Sequence, residues 1–220
     1  MKSTRSKVLI VTSAFFSHLV LSAPNEKVIA QYNQAAQGDE SQVEIVYQQL
    51  QSGMKRDGAD ALSLVYLGST QTLMGRDAFM PWNKMKYTEQ GLATITKGLD
   101  LLSTENTPTN EQLRIQGIPE SILTRAIAAS TFTSLPEMFN HFERGYDLYL
   151  NLLRDDTFNS QPYAATSWIY FYAIKAAIKA EDTLQAEQWM QEMIRRNSDD
   201  VMTVQAQALF PKTNSSSNKG

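Results

Sequence analysis

Apolar residues recur along the chain at helical rather than strand spacing. The clearest stretch runs from 59 to 103, ADALSLVYLGSTQTLMGRDAFMPWNKMKYTEQGLATITKGLDLLS. From Ala61, Leu64, Val65, Leu67 and Leu73 fall on one side, with Gly68 and Thr72 as small positions among them. This is a 3.6-residue period with room for a second helix to approach. Asp60 stands where an N-cap belongs, and Gly75 where a C′ glycine would end the helix. A second helix follows on Gly91, Leu92, Ile95, Gly98, Leu99 and Leu102. Each internal glycine costs roughly 1 kcal/mol against alanine, so a close helix contact is the expected reason for the pair at 91 and 98.

The rest of the chain continues in the same idiom. Val28, Ile29, Tyr32 and Ala36 form a stripe ended by Gly38. Asp39 or Ser41 caps a second helix with Val43, Val46, Tyr47, Leu50 and Met54 inward, and Asp57-Gly58 is a turn. After the loop at 106–110, residues 111–134 read as mostly helical, kinked at their start by Gly117 and Pro119. Another helix spans 137–154, with Phe139, Phe142, Tyr146, Tyr149 or Leu150, and Leu153 inward. The next, to about Ala180, is apolar on most sides, which predicts a central, buried helix. Asp182 caps a helix carrying Leu184, Trp189, Met190 and Met193, and Asp199 caps a short last one ending by Leu209. The expected fold is all-α, eight or nine helices in antiparallel hairpins over 24–209, with a polar, disordered tail at 210–220.

The central pair resembles a tetratricopeptide repeat on Leu64, Leu67, Gly68 and Gly75, then Gly91 and Gly98, with Leu99 and Leu101 following. Gln71 stands where that family has an aromatic. The gap from Gly75 to Gly91 is longer than the repeat's, so an insert extends the turn or the second helix. The insert, GRDAFMPWNKMKY, is similar to one in uncharacterised bacterial repeat-like proteins carrying YLGS, GRD and PW-x-KMKY, which implies no known activity. The resemblance implies an irregular right-handed solenoid with a concave protein-binding groove. It places Leu62, Val65, Ser69 and Thr72 on that groove.

Composition adds three points. The N-terminus has the layout of a secretory signal over 1–23: basic Lys2, Arg5 and Lys7, an apolar run from Val8 to Leu21, and small Ser22-Ala23. The run is short for a bilayer span. Pro24 is a poor residue after a cut at Ala23, so cleavage one residue either way stays open. The expected location is periplasmic or secreted, with a mature chain that does not span a membrane. Removing 1–23 takes three of the 20 basic residues and none of the 23 acidic ones, leaving −6. So acidic a protein is poorly suited to nucleic acid. Zero cysteines exclude disulfides and thiolate chemistry.

Candidate chemistry is sparse. His18 lies in the leader, so His141 is the mature chain's one histidine, and no two-histidine zinc site can form. His141 with Glu143 and Asp147 is a weak metal set; a solvated or capped histidine accounts for it better. No nucleophile elbow or phosphate loop is present, and no cofactor is implied. The insert has two readings. In one, Arg76 and Asp77 pair locally, Phe79, Trp82 and Met85 seal the hairpin, and the lysines snorkel. In the other, Arg76, Asp77, Trp82, Lys84, Lys86 and Tyr87 form an exposed aromatic-basic patch that grips a partner. Exposure of Trp82 separates them. The expected function is a non-catalytic interaction scaffold of the cell envelope with a protein partner. The alternative is a helical ligand-binding protein or enzyme with a cavity between 137–154 and 161–180.

Overall fold

A computed structural model of the chain describes residues 23–210. Residues 1–22 of the expected leader over 1–23, and 211–220 of the expected tail over 210–220, lie outside the described residues. Ten α-helices and one minimal β-hairpin account for the described fold: α1 Glu26–Ala36, α2 Glu40–Asp57, α3 Ala61–Asp77, α4 Pro81–Thr104, β1 Arg114–Ile115, β2 Ile118–Pro119, α5 Glu120–Ser134, α6 Phe142–Arg154, α7 Asp156–Asn159, α8 Tyr163–Lys179, α9 Thr183–Asn197 and α10 Val201–Gln207. A 3-10 turn at Glu137–Phe139 leads into α6. No described helix is long and apolar enough to cross a membrane.

Side-chain caps set many of the helix starts. Asn25, Asp39, Asp60, Asp155, Asp182 and Asp200 each accept a hydrogen bond from a backbone N–H of the turn they open. Such a cap contributes typically about 1 kcal/mol. The last helix is therefore capped by Asp200, not by the Asp199 expected from the sequence; the Asp199 backbone instead bonds the Asn197 side chain.

Neighbouring helices pack in sequence, α1 on α2, α2 on α3, α3 on α4, α5 on α6 and α8 on α9. The centre is α3, which touches α1, α2, α4 and α5 and is buried without a break from Ala61 to Thr70. This corrects the expectation that 161–180 is the central helix. That helix, α8, is more apolar, but Tyr172 and Ile178 on it stay exposed. The core runs from Ile29 and Tyr66 through Ile95, Leu123 and Phe132 to Tyr149, Tyr170 and Met193.

Two further expectations change. Gly75 does not end its helix: α3 runs on to Asp77, and Gly75 is buried against Thr88 and Lys84 of α4. It is a crossing glycine, like Gly68, Gly91 and Gly98. The insert extends α4, which starts at Pro81 and reaches 24 residues. The residues 111–119 are not helical. Ile115 and Ile118 pair across a tight turn made by Gln116 and Gly117, both at positive φ. Helix α5 begins only at Glu120: Pro119 before it holds a non-helical ψ of 142°, and the Glu120 N–H bonds the Leu113 carbonyl beside β1.

Candidate functional site

The turn between α3 and α4 is built by its own sequence. Ala78 and Met80 are extended, and Pro81 opens α4 at a position where its missing N–H costs nothing. A residue before proline is pushed into extended backbone, which fixes Met80. The Met80 carbonyl accepts from the N–H groups of Asn83 and Lys84 at 2.9 and 3.0 Å. Three apolar side chains therefore sit on a rigid turn with little above them: Phe79 is 92% exposed, Trp82 64% and Met80 36%. Trp82 and Phe79 do not seal the hairpin.

The polar residues of the predicted patch divide into two groups. Arg76 donates to both carboxylate oxygens of Asp77, at 2.6 and 2.9 Å, and to the Ala35 carbonyl at the end of α1 at 3.1 Å. The bond to Asp77 raises the guanidinium further above its ordinary value. Lys84 donates to the Arg76 carbonyl at 3.1 Å. These three tie the ends of α1, α3 and α4 together. Lys86, whose ammonium lies 5.7 Å from the Tyr87 ring centre, remains at the surface with Trp82.

The four groove positions are not on an open groove. Leu62, Val65, Ser69 and Thr72 are all buried. The chain covers that face itself: α5 packs on α3, and the Ser69 and Thr131 hydroxyls bond at 2.7 Å. Val65 lies against Gly98 of α4, and Thr72 Oγ1 donates to the Ser69 carbonyl. Ser69 is thus covered by α5, while Val65 and Thr72 lie against the crossing glycines Gly98 and Gly91 of α4.

An accessible concavity lies instead along the outer side of α4. Trp82, Met85, Glu89, Ala93 and Thr96 follow one another at three- and four-residue steps and so share a side of that helix. From Met85 onward they wall a cleft of about 760 Å³ that is closed across by Met138, Phe139 and His141. Met138 is exposed. Arg144 holds the far wall in place, donating to Thr96 Oγ1 at 2.7 Å while stacking on Phe132. His141 stacks on the same ring, centroids 5.1 Å apart. Burial, and then Arg144, lower its pKa from the ordinary 6.5. Among the described residues no cluster of three His, Asp or Glu is placed to hold a metal. Phe139, expected inward, is partly buried against the core and also borders the cleft, whereas the exposure of Met138 was not expected from the sequence. The only available signal was Pro136, which stops α5 and turns the chain outward.

The aromatic residues of α8 do border a cleft, but not against α6. Helices α6 and α8 pack directly on one another, and the cleft on Trp168 and Tyr172 is lined otherwise by α1, α5, the β-hairpin turn and Met202 of α10.

Comparisons with protein-family models, with curated proteins and with solved structures return no match for the chain. The functional reading therefore rests on the geometry of these surfaces.

Proposed function

We propose that the protein is a non-catalytic helical interaction module of the cell envelope, exported by its N-terminal leader. Its tetratricopeptide-like hairpins serve as a scaffold that presents the α3–α4 turn to a protein partner. The observation that carries this reading is the joint exposure of Phe79, Met80 and Trp82 on a turn that Arg76, Asp77 and Lys84 hold rigid. Trp, Phe and Met are enriched at interface centres, and truncating a buried aromatic anchor there costs 2 kcal/mol or more. A preorganised turn binds without the ordering cost of a flexible one. Lys86 and Lys84 flank the anchors with positive charge and favour a partner that is acidic at the rim. The stripe from Trp82 to Thr96 and the cleft beneath Met138 extend the surface along α4, which suits a partner helix lying beside it.

The test uses a photo-crosslinking residue at position 79 in the full-length chain in its native host. A discrete adduct is expected, with its partner identified by mass spectrometry. The purified partner should then bind the Phe79→Ser/Trp82→Ser variant at least about 30-fold more weakly, corresponding to 2 kcal/mol. Equal binding by the variant, or no discrete adduct, overturns the reading.

A further inference from the structure

A second site lies on different residues. Helices α1, α5, α8 and α10 and the β-hairpin turn line a cleft of about 400 Å³. This is within the size range of small-ligand sites. Its aromatic walls are Tyr32, Trp168 and Tyr172, and its rim carries Asn33, Gln37 and Gln116.

Three features narrow the ligand. First, no Asp, Glu, Lys or Arg lines this cleft, whereas the α4 cleft carries Glu89, Lys97 and Asp100. In a chain that is 20% charged, a charge-free lining disfavours an ionic ligand, which would lose hydration without a counter-charge. Second, the aromatic wall is fixed. The Trp168 indole N–H is spent on the Ala165 carbonyl at 3.1 Å, and the ring meets Tyr172 edge to face at 6.3 Å. What Trp168 can still offer is its apolar surface. Lys175 stands over Phe171 and Tyr172 further along α8, outside the cleft lining. Third, the polar lining carries three side-chain amides, each offering a donor and an acceptor together, and the Ser130 hydroxyl. Gln116 holds φ +52, a left-handed conformation that is costly for a side chain of its kind. The hairpin keeps it there, with Gly117 lying against Ala165 of α8.

We propose that this cleft binds a neutral saccharide. A pyranose has an apolar C–H face that fits an aromatic wall, and a belt of uncharged hydroxyls that both donate and accept, as side-chain amides do. The reading goes beyond docking at the α3–α4 turn and shares none of its residues.

The test follows the indole N–H resonances of Trp82, Trp168 and Trp189 in the isotope-labelled mature protein. Maltotriose, cellotriose and tri-N-acetylchitotriose are titrated to about 20 mM, a range that detects affinities near 1 mM, with trigalacturonate as the charged counterpart. At least one neutral probe is expected to move the Trp168 signal saturably and leave Trp82 and Trp189 in place. The rim variants Asn33→Ala and Gln116→Ala keep the core intact, and each should weaken that binding about tenfold. Trp168→Phe should retain part of it. The proposal is overturned if no neutral probe moves Trp168, if trigalacturonate binds as well as the best of them, or if both rim variants bind like the parent.

Discussion

Gly68 and Gly91 face each other across the α3–α4 crossing at backbone contact. A Cβ placed on Gly68 would lie 2.6 Å from the Gly91 carbonyl oxygen, and one on Gly91 would lie 2.5 Å from that of Gly68. Gly98 repeats the contact against the Ala61 carbonyl at 2.9 Å. Backbone on both sides leaves no flexible group to move aside. Gly68→Leu should therefore cost 3 kcal/mol or more, at or above the upper end of typical overpacking penalties of about 1–3 kcal/mol. Gly91→Ala should be destabilising too, although alanine is the better helix former. Urea midpoints measure both, and an unchanged midpoint for Gly68→Leu would mean that the helices do not cross there.

The α3–α4 turn predicts the opposite behaviour. Phe79 and Trp82 stand away from the core, so Phe79→Ser/Trp82→Ser should leave stability within about 0.5 kcal/mol of the parent, as for ordinary surface changes. Solubility should rise, because a contiguous exposed apolar patch is removed. A loss of several kcal/mol in chemical denaturation would return these side chains to the core and withdraw them from any interface.

Much of this fold is legible in the sequence because its caps are chemically distinct. Asp39, Asp60 and Asp182 mark helix starts by residue type alone. Glycine does not carry such a label. At Gly75 the same residue serves equally for a C′ stop or a close crossing, and only the partner helix, through Thr88, decides for the crossing. The hairpin at 114–119 was illegible for a different reason. Two-residue strands are too short to show alternation, and Gln116 is an unexpected occupant of a left-handed turn. The predicted groove failed because positions such as Ser69 can face either solvent or another part of the chain, and the pattern cannot say that α5 returns to cover them.

That covering contact is itself testable. Ser69 and Thr131 lie 62 residues apart, and their hydroxyls bond at 2.7 Å in a buried setting. Thr131 also donates back to Ile127, so removing it strips two interactions. Ser69→Ala and Thr131→Val should each cost about 1–3 kcal/mol, since each leaves a buried hydroxyl or carbonyl with less than its full complement of bonds. The double variant should cost less than the sum, with a coupling of 0.5 kcal/mol or more, as contacting residues show. Full additivity would show that the two hydroxyls are not bonded and that α5 does not hold α3 in this register.

His141 gives the fold a signed response to pH. Burial and the neighbouring Arg144 both disfavour its cation, so its folded pKa lies below the ordinary 6.5. The unfolded chain then binds more protons than the folded one as pH falls through that value. This group's contribution is therefore fully present above 6.5 and lost as pH drops toward the lowered folded value. Glu105 and Glu120 act with the opposite sign. Burial, with Asp60 nearby, raises their pKa above the ordinary 4.5, so their protonation favours the folded state as acid is added. Comparing a variant with its parent cancels the carboxylate part. His141→Gln should reduce the fall in urea midpoint between pH 7.5 and about 5.5, the interval in which an ordinary histidine titrates. The parent should decline more steeply than the variant, and the gap between the two curves should become constant above the ordinary histidine range. If parent and variant decline in parallel, His141 titrates alike in both states and does not share the Phe132 face with Arg144.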